Sequence, residues 1–484
     1  MSDAAPPGET VIRMYAARED IHPREAKGRY ATLRRACVWL TQAVFYALPW
    51  LNWHHRQAVL FDLGARKFYL FGVVLWPQDF IYLAALLIVC AYALFLVTAV
   101  AGRVWCGFAC PQTVYTEIFL WIERRIEGER SARMRLERAP WSVDKVARKS
   151  AKHAAWLAVA LWTGVSFVGY FTPALSLQGE VAAFRLGPWE TFWILFYALA
   201  TYGNAGWLRE QVCKYMCPYA RFQSAMFDKD SLIITYDALR GEPRGPLASR
   251  SALKTAPEAV PEAAPQAKAG GACIDCTLCV QVCPTGIDIR NGLQYECIGC
   301  AACVDACNTV MARIGQPPGL IRYSSEHANT GRWSPAQVRR RVLRPRVLIT
   351  TALLGLIIAA LGTALALRTP LKLDVMRDRG AMGREVDDGL IENVYRLQVM
   401  NTAETAHTFR IAVSGLASIS LASPALATLD GASARAVPVR VRVPRQVART
   451  GSNPIVFELA AVDDPALRVS EKAVFIVPRQ AQGD

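Results

Sequence analysis

Cys273, Cys276, Cys279 and Cys283 are separated by two, two and three residues, and Cys297, Cys300, Cys303 and Cys307 repeat that pattern. This is the spacing of bacterial ferredoxin loops, which hold [4Fe–4S] clusters. The reason is geometric. Three thiolates on a tight loop reach three irons of a cubane, and the fourth must arrive from another segment. In paired runs the last cysteine of each serves the other cluster. The sets expected here are Cys273, Cys276, Cys279 and Cys307 for one cluster, and Cys297, Cys300, Cys303 and Cys283 for the other. A structural zinc pair fits less well, because zinc takes four tetrahedral ligands, usually from two separated CxxC pairs. The second run ends in Asn308 where the first has Pro284, which leaves the ligand count intact.

Four further cysteines form a second constellation. Cys106 and Cys110 precede Pro111, Cys213 and Cys217 precede Pro218, and the two CxxxC-Pro units lie 107 residues apart. On a continuous helix, positions i and i+4 share a face. Two such pairs would offer four sulfurs to one redox or metal site. Soft thiolates suit Cu(I), zinc or an iron–sulfur cluster, and a third metal site and a reversible disulfide both stay open. Cys37 and Cys90 read as small buried hydrophobes without a role. The six histidines (His22, His54, His55, His153, His327 and His407) offer no facing pair for haem, and no CxxCH run occurs. A quinone site near one of them stays open.

The elements that must position these groups belong to a membrane protein. The 484 residues carry 55 Lys and Arg against 40 Asp and Glu, a net charge of +15, yet 53% are hydrophobic. A basic excess on so apolar a background argues for a lipid bilayer and against nucleic acid as the partner. Five stretches free of Asp, Glu, Lys and Arg are expected to span: Ala36–Trp53, Phe80–Val100, Ala154–Leu175, Thr191–Leu208 and Val347–Leu367. Phe68–Trp76 is too short to cross and is expected at the interface. No cleavable signal pattern follows Met1. Lys and Arg crowd residues 1–35, the loop 102–153 and the approach to the fifth span, which puts the N-terminus inside and the C-terminus outside. All twelve clustered cysteines then fall on the reducing side.

The expected organisation is a cytoplasmic segment 1–35, a four-helix region 36–228 with the CxxxC-Pro pairs, and a flexible linker 229–272 rich in Ala and Pro. A ferredoxin domain with a basic connector follows over 273–346, then a fifth helix 347–367 and an outer domain 368–484. The linker would let the ferredoxin domain approach and leave the membrane surface. In the outer domain, Tyr395, Leu397 and Val399 alternate with Arg396 and Gln398, and Val437 to Val443, Ile455 to Leu459 and Ala473 to Val477 alternate likewise. Short strands at this spacing indicate an antiparallel β-sandwich of immunoglobulin type.

WCGFACPQ and CKYMCPYARFQ at two inner membrane edges, twin ferredoxin runs, five spans and an outer β-domain together resemble the CcoG/FixG/RdxA family of cytochrome c oxidase accessory proteins, over nearly the whole chain. The resemblance implies a membrane-bound polyferredoxin of the bacterial inner membrane, needed to assemble a high-affinity haem–copper oxidase. It implies reduction of Cu(II) to Cu(I) on the cytoplasmic side, with copper as substrate. Its implied partners are a copper chaperone or copper-transporting ATPase and oxidase assembly factors, beside an electron donor that no residue identifies. Two other readings compete: a quinol-linked polyferredoxin feeding a partner reductase, and a non-redox assembly scaffold. The outer β-domain favours the accessory-protein reading over the first, and two complete cluster runs count against the second.

The charge bias makes a direct prediction. A reporter fused after Gln480 is expected to be active only in the periplasm, and one fused at Val260 only in the cytoplasm. Activity of both on one side would overturn the orientation.

Overall fold

The structure is a computed structural model describing residues 21–226, 228–246, 271–331, 333–378, 383–386 and 389–478. It divides into two compact units. One comprises Met1–Ala47, Ile88–Gly169 and Leu177–Gly355, the other Leu48–Leu87, Tyr170–Ser176 and Leu356–Asp484.

Two helices among the described residues are long and apolar enough to cross a membrane, Pro77–Ala101 and Pro345–Ala366. Little of their apolar surface is buried in the protein, 0% and 11% of the most apolar stretch of each. They match the second and fifth expected spans. The other three are built differently. The first helix runs Arg29–Ala47 and starts among basic residues; Leu48–Trp50 then tightens and Asn52–Trp53 is already extended. Pro49 explains the early stop, since the residue before a proline is pushed out of the helical region. The third helix, Val143–Val168, ends before Leu175, where Gly169 and Pro173 interrupt it. The fourth is α-helical over Pro188–Thr201 and loosens into a π-helical stretch at Tyr202–Leu208, which contains Gly203 and Gly206.

In the first unit, Phe119, Ile122, Trp156 and Ala205 form a small core, with the Phe119 and Trp156 rings stacked at 5.1 Å. A buried ionic network closes it. Arg209 reaches Glu123 at 2.9 Å and Lys152 reaches Glu127 at 2.9 Å, while Arg133 lies 3.4 Å from Glu123. Buried carboxylates are tolerable only when paired in this way. Arg344, ahead of the last long helix, donates to the Ala99 carbonyl and to Asp228 at 2.8 Å each.

The linker boundary needs correction. Ile233–Tyr236 is a strand paired antiparallel with Ile321–Ser324, and Ala238–Gly241 is helical. Ile234 and Tyr236 belong to the same apolar cluster as Cys273 and Cys279. The ferredoxin body therefore begins near 233, where a short apolar strand finds a partner nearly ninety residues away. The Ala/Pro-rich stretch 247–270 lies outside the described residues. Nor is the body held at arm's length: it belongs to the first compact unit and packs on the CxxxC-Pro segments, as described below.

The second unit holds the β-sandwich. One sheet runs through Ser420–Leu421, Ser433–Pro444, Leu390–Asn401 and Leu371–Arg377, with Arg384–Val386 also on Leu390–Asn401. The other runs through Leu426–Leu429, His407–Ser414, Gly451–Ala461 and Arg468–Val477. All pairings are antiparallel, and the expected alternation holds, with Tyr395, Leu397 and Val399 no more than 1% exposed. Around Phe68–Trp76, expected at the interface, Lys67–Leu70 and Val73–Leu75 form a three-stranded sheet with Val59–Asp62. In this unit Asp79 is buried and paired with Arg368 at 3.0 Å and with Lys372.

Phe457 is fully buried in the sandwich, edge-on to Tyr395 at 5.0 Å. Phe457→Ala is expected to destabilise this domain by about 3–5 kcal/mol, read by thermal unfolding of the full chain. The visible iron–sulfur absorption should be unchanged, because no cysteine lies in this domain.

Candidate functional site: a chain of cysteine pockets

The two ferredoxin loops are built alike. In the first, Asp275 and Thr277 on either side of Cys276 adopt left-handed backbone, with φ of 53° and 55°. In the second, Gly299 and Ala301 flank Cys300 with φ of 68° and 58°. A left-handed residue other than glycine costs about 1–2 kcal/mol, and strain of this kind gathers at functional sites. Here it curls each loop so that its thiols turn inward. Short helices then carry the third cysteine of each run, Cys279 on Leu278–Gln281 and Cys303 on Ala302–Arg313.

The result is two pockets. Cys273, Cys276, Cys279 and Cys307 line the first, which has about 360 Å³ of free space and apolar walls from Ile274, Met311 and Leu320. Cys283, Cys297, Cys300 and Cys303 line the second, of about 330 Å³, and Cys279 borders it as well. The structure thus brings the last cysteine of each run to the other run's pocket. Among the described residues no three His, Cys, Asp or Glu are grouped as a single metal ion requires. Four thiols spread around a void suit a cluster and not one zinc ion. Burial, with neighbouring cysteines adding to it, pushes the Cys297 and Cys307 thiols up to about 12. Thiols this dry become thiolates only beside strong positive charge, which iron supplies.

The paired cysteines depart from one expectation. They do not share a continuous helix. Cys106 lies in the short helix Val104–Phe108, whereas Cys110 is extended (φ −61°, ψ 129°) and caps the next helix, Pro111–Glu127. Cys213 lies in the π-helical turn Val212–Met216, and Cys217 is likewise extended ahead of Pro218–Met226. The break falls before the second cysteine because a residue preceding proline avoids helical backbone. The two units still converge: Cys106 is within electrostatic reach of Cys110, Cys213 and Cys217. All four are free thiols.

Cys106 and Cys213 also pack against the cluster of Val282, Ile298, Cys300 and Ala302 at the second pocket. The approach there is backbone to backbone. A Cβ on Gly107 would stand 2.8 Å from the Cys300 Cα, so position 107 requires glycine.

Several contributors escaped the sequence reading. Arg103 is 6% exposed and donates to the carbonyls of Tyr295, Ala220 and Cys297. Arg34 pairs with Glu117 and lies within electrostatic reach of Cys283 and Cys300. The Asp305 carboxylate accepts from the Ala31 amide at 2.7 Å, holding the start of the first helix to the ferredoxin body. His153 accepts from or donates to the Tyr202 hydroxyl at 2.9 Å and stacks on Trp207.

Comparison with known proteins agrees with this arrangement. A model of a 4Fe-4S dicluster domain matches residues 208–326, a 4Fe-4S binding domain matches 83–128, and the IG-like fold at the C-terminal of FixG matches 361–478. The nitrogen fixation protein FixG of Rhizobium meliloti is 38% identical over 449 residues, covering 86% of this chain and 83% of its own. Proteins RdxB and RdxA of Cereibacter sphaeroides are 38% and 37% identical, covering 86% of this chain and 86% and 87% of theirs. A FixG-related protein from Vibrio parahaemolyticus, known from its crystal structure, aligns with 22% of this chain and 95% of its own at 20% identity and a TM-score of 0.20, too slight a likeness to argue from.

The exchange of last cysteines is testable. Cys283→Ser is expected to remove the EPR signal of the second pocket and spare the first, although Cys283 closes the first run. Selective loss of the first signal would refute it.

Proposed function

The chain belongs to the FixG/RdxA family of iron–sulfur proteins, and from that premise we propose that it carries single electrons through its ferredoxin pockets to the paired cysteines, where Cu(II) is reduced to Cu(I). The observation that carries this reading is the unbroken sequence of sulfur-lined contacts. Cys279 borders both pockets, and Cys106 and Cys213 pack against the apolar cluster that contains Cys300 and Ile298 of the second. Cys273, Cys276, Cys279 and Cys307 would hold one cluster and Cys297, Cys300, Cys303 and Cys283 the other, and these would supply one-electron chemistry. The chain's own residues do the rest. Apolar walls keep water from the thiolates, the left-handed turns fix their direction, and Arg103 and Arg34 bring positive charge close to them.

Electrons enter at the first pocket, whose Cys276 is exposed, whereas Cys300 of the second is buried. A soluble donor meets the former and not the latter. Copper is the substrate at the other end. Sulfur ligands prefer Cu(I), and the conversion takes one electron, matching what each centre passes on. We place these events on the cytoplasmic side of a bacterial inner membrane, with five spans and the β-sandwich in the periplasm. The two apolar helices and the basic inner segments support that placement. Copper chaperones, a copper-transporting ATPase and oxidase assembly factors are the partners this reading calls for, and haem–copper oxidase assembly is the process it serves.

A Ser substitution at Cys106, Cys110, Cys213 or Cys217 is expected to abolish Cu(II) reduction while the signals of both ferredoxin pockets persist. The assay mixes anaerobically reduced protein with Cu(II) and follows cluster bleaching alongside a Cu(I) indicator. Cells bearing the variant should make a copper-poor oxidase that added Cu(I) partly restores. Full rates in all four variants would remove these cysteines from the path.

A further inference from the structure

The geometry points to a third four-iron cluster, held by Cys106, Cys110, Cys213 and Cys217 against the second ferredoxin pocket. This deepens the electron-transfer reading above and rests on it for the purpose of the centre, though not for its existence; the four thiols would then ligate iron, and Cu(II) would take its electron from that centre without being bound by them.

The two CxxxC-Pro units form equivalent half-sites. In each, the first thiol sits on a short helical turn and the second on extended backbone before a proline that starts the next helix. The halves face each other, since Cys110 is within electrostatic reach of Cys217, and Cys213 of Cys110. Yet no three of these sulfurs are grouped closely enough for one ion. Nor are the eight ferredoxin cysteines so grouped, and their pattern fits a cubane whose four irons each take one thiolate.

A second observation is independent of the thiols. Arg103 is more than nine-tenths buried, its two Nη atoms donate only to carbonyl oxygens, and its Nε has no partner. Among the described residues no carboxylate lies within ion-pair distance of it. A buried guanidinium without an anion is unfavourable, so negative charge is expected beside it. Cys106, Cys213 and Cys297 are within its electrostatic reach. A thiolate-ligated cluster carries net negative charge: the second ferredoxin cluster would supply it on the Cys297 side, and a third would supply it on the Cys106 and Cys213 side. The 4Fe-4S binding domain matched over 83–128 contains Cys106 and Cys110 and none of the ferredoxin-run cysteines.

The full chain, purified anaerobically in detergent, is analysed for iron, acid-labile sulfide, copper and zinc, with EPR of the reduced protein. About twelve irons and twelve sulfides are expected, against about eight if the two ferredoxin runs alone are filled. The double variant Cys106→Ser/Cys217→Ser is expected to lose about four of each and keep both ferredoxin signals, and Cys276→Ser calibrates the loss of a single ferredoxin cluster. A wild-type count near eight overturns the proposal whatever the variants do, and so does a count near ten, which means a two-iron centre. Unchanged iron with lost copper or zinc in the double variant also overturns it, because the thiols then hold that ion. Iron content is read without copper turnover. A third cluster in a protein that fails to reduce Cu(II) would sink the copper reading alone, and eight irons with full reduction would sink only this one.

Discussion

At position 107 a side chain's first carbon would stand 2.8 Å from the backbone of Cys300, and much of the first unit depends on that approach. It brings the loop that carries Cys106 and Cys110 into register with the second ferredoxin loop. Gly299 meets the same constraint from the other side, with left-handed backbone and the Arg103 main chain 3.1 Å from where its Cβ would be. Around this contact other ties accumulate. Arg103 donates to three carbonyls, Tyr323 donates to the Gly299 carbonyl, and Asp305 holds the first helix. None is large alone, since a single hydrogen bond nets about 1 kcal/mol. Together they leave the ferredoxin body seated against the paired cysteines, where the sequence had suggested a domain free to come and go.

What was legible follows from how tightly physics ties a pattern to a structure. A cubane fixes the spacing of its ligands, so the cysteine runs declared the cofactor, and Cys283 and Cys307 each line the pocket of the other run. A two-faced sheet imposes period two, so the strands around Tyr395, Val439 and Phe457 were readable residue by residue. Uninterrupted apolar runs located the helices Phe80–Ala101 and Pro345–Ala366. The helix ends were harder to read. Pro49, Pro111, Pro173 and Pro218 act on the residue before them, and hydrophobicity alone does not register this. The strand Ile233–Tyr236 was hidden because four residues carry too little pattern, and its partner is remote in sequence.

Arginine was the least legible residue of all. Arg103, Arg133 and Arg344 entered the sequence argument as votes for a cytoplasmic loop, yet each is buried and bonded to carbonyls or carboxylates. Nothing in a linear sequence separates a guanidinium that faces lipid headgroups from one that faces sulfur. The two roles do not conflict, because the charge bias acts while the chain is being inserted and burial follows as it folds. The orientation argument therefore keeps its force.

The same burial determines what the sulfur path can do. In a dry, apolar surrounding, charge interactions are far stronger than in water, so each electron added to a thiolate-ligated centre is felt by its neighbours. A guanidinium beside such a centre, as Arg103 is within electrostatic reach of Cys297, would favour its reduced state. Its fixed position, set by backbone carbonyls and not by a mobile carboxylate, makes that bias independent of side-chain rearrangement. The first pocket has a largely buried cation too, Arg290, but it is paired with Asp288 at 2.7 Å and with Asp275, whereas Arg103 meets only carbonyls. The two pockets therefore differ in how freely a neighbouring cation acts on their thiolates.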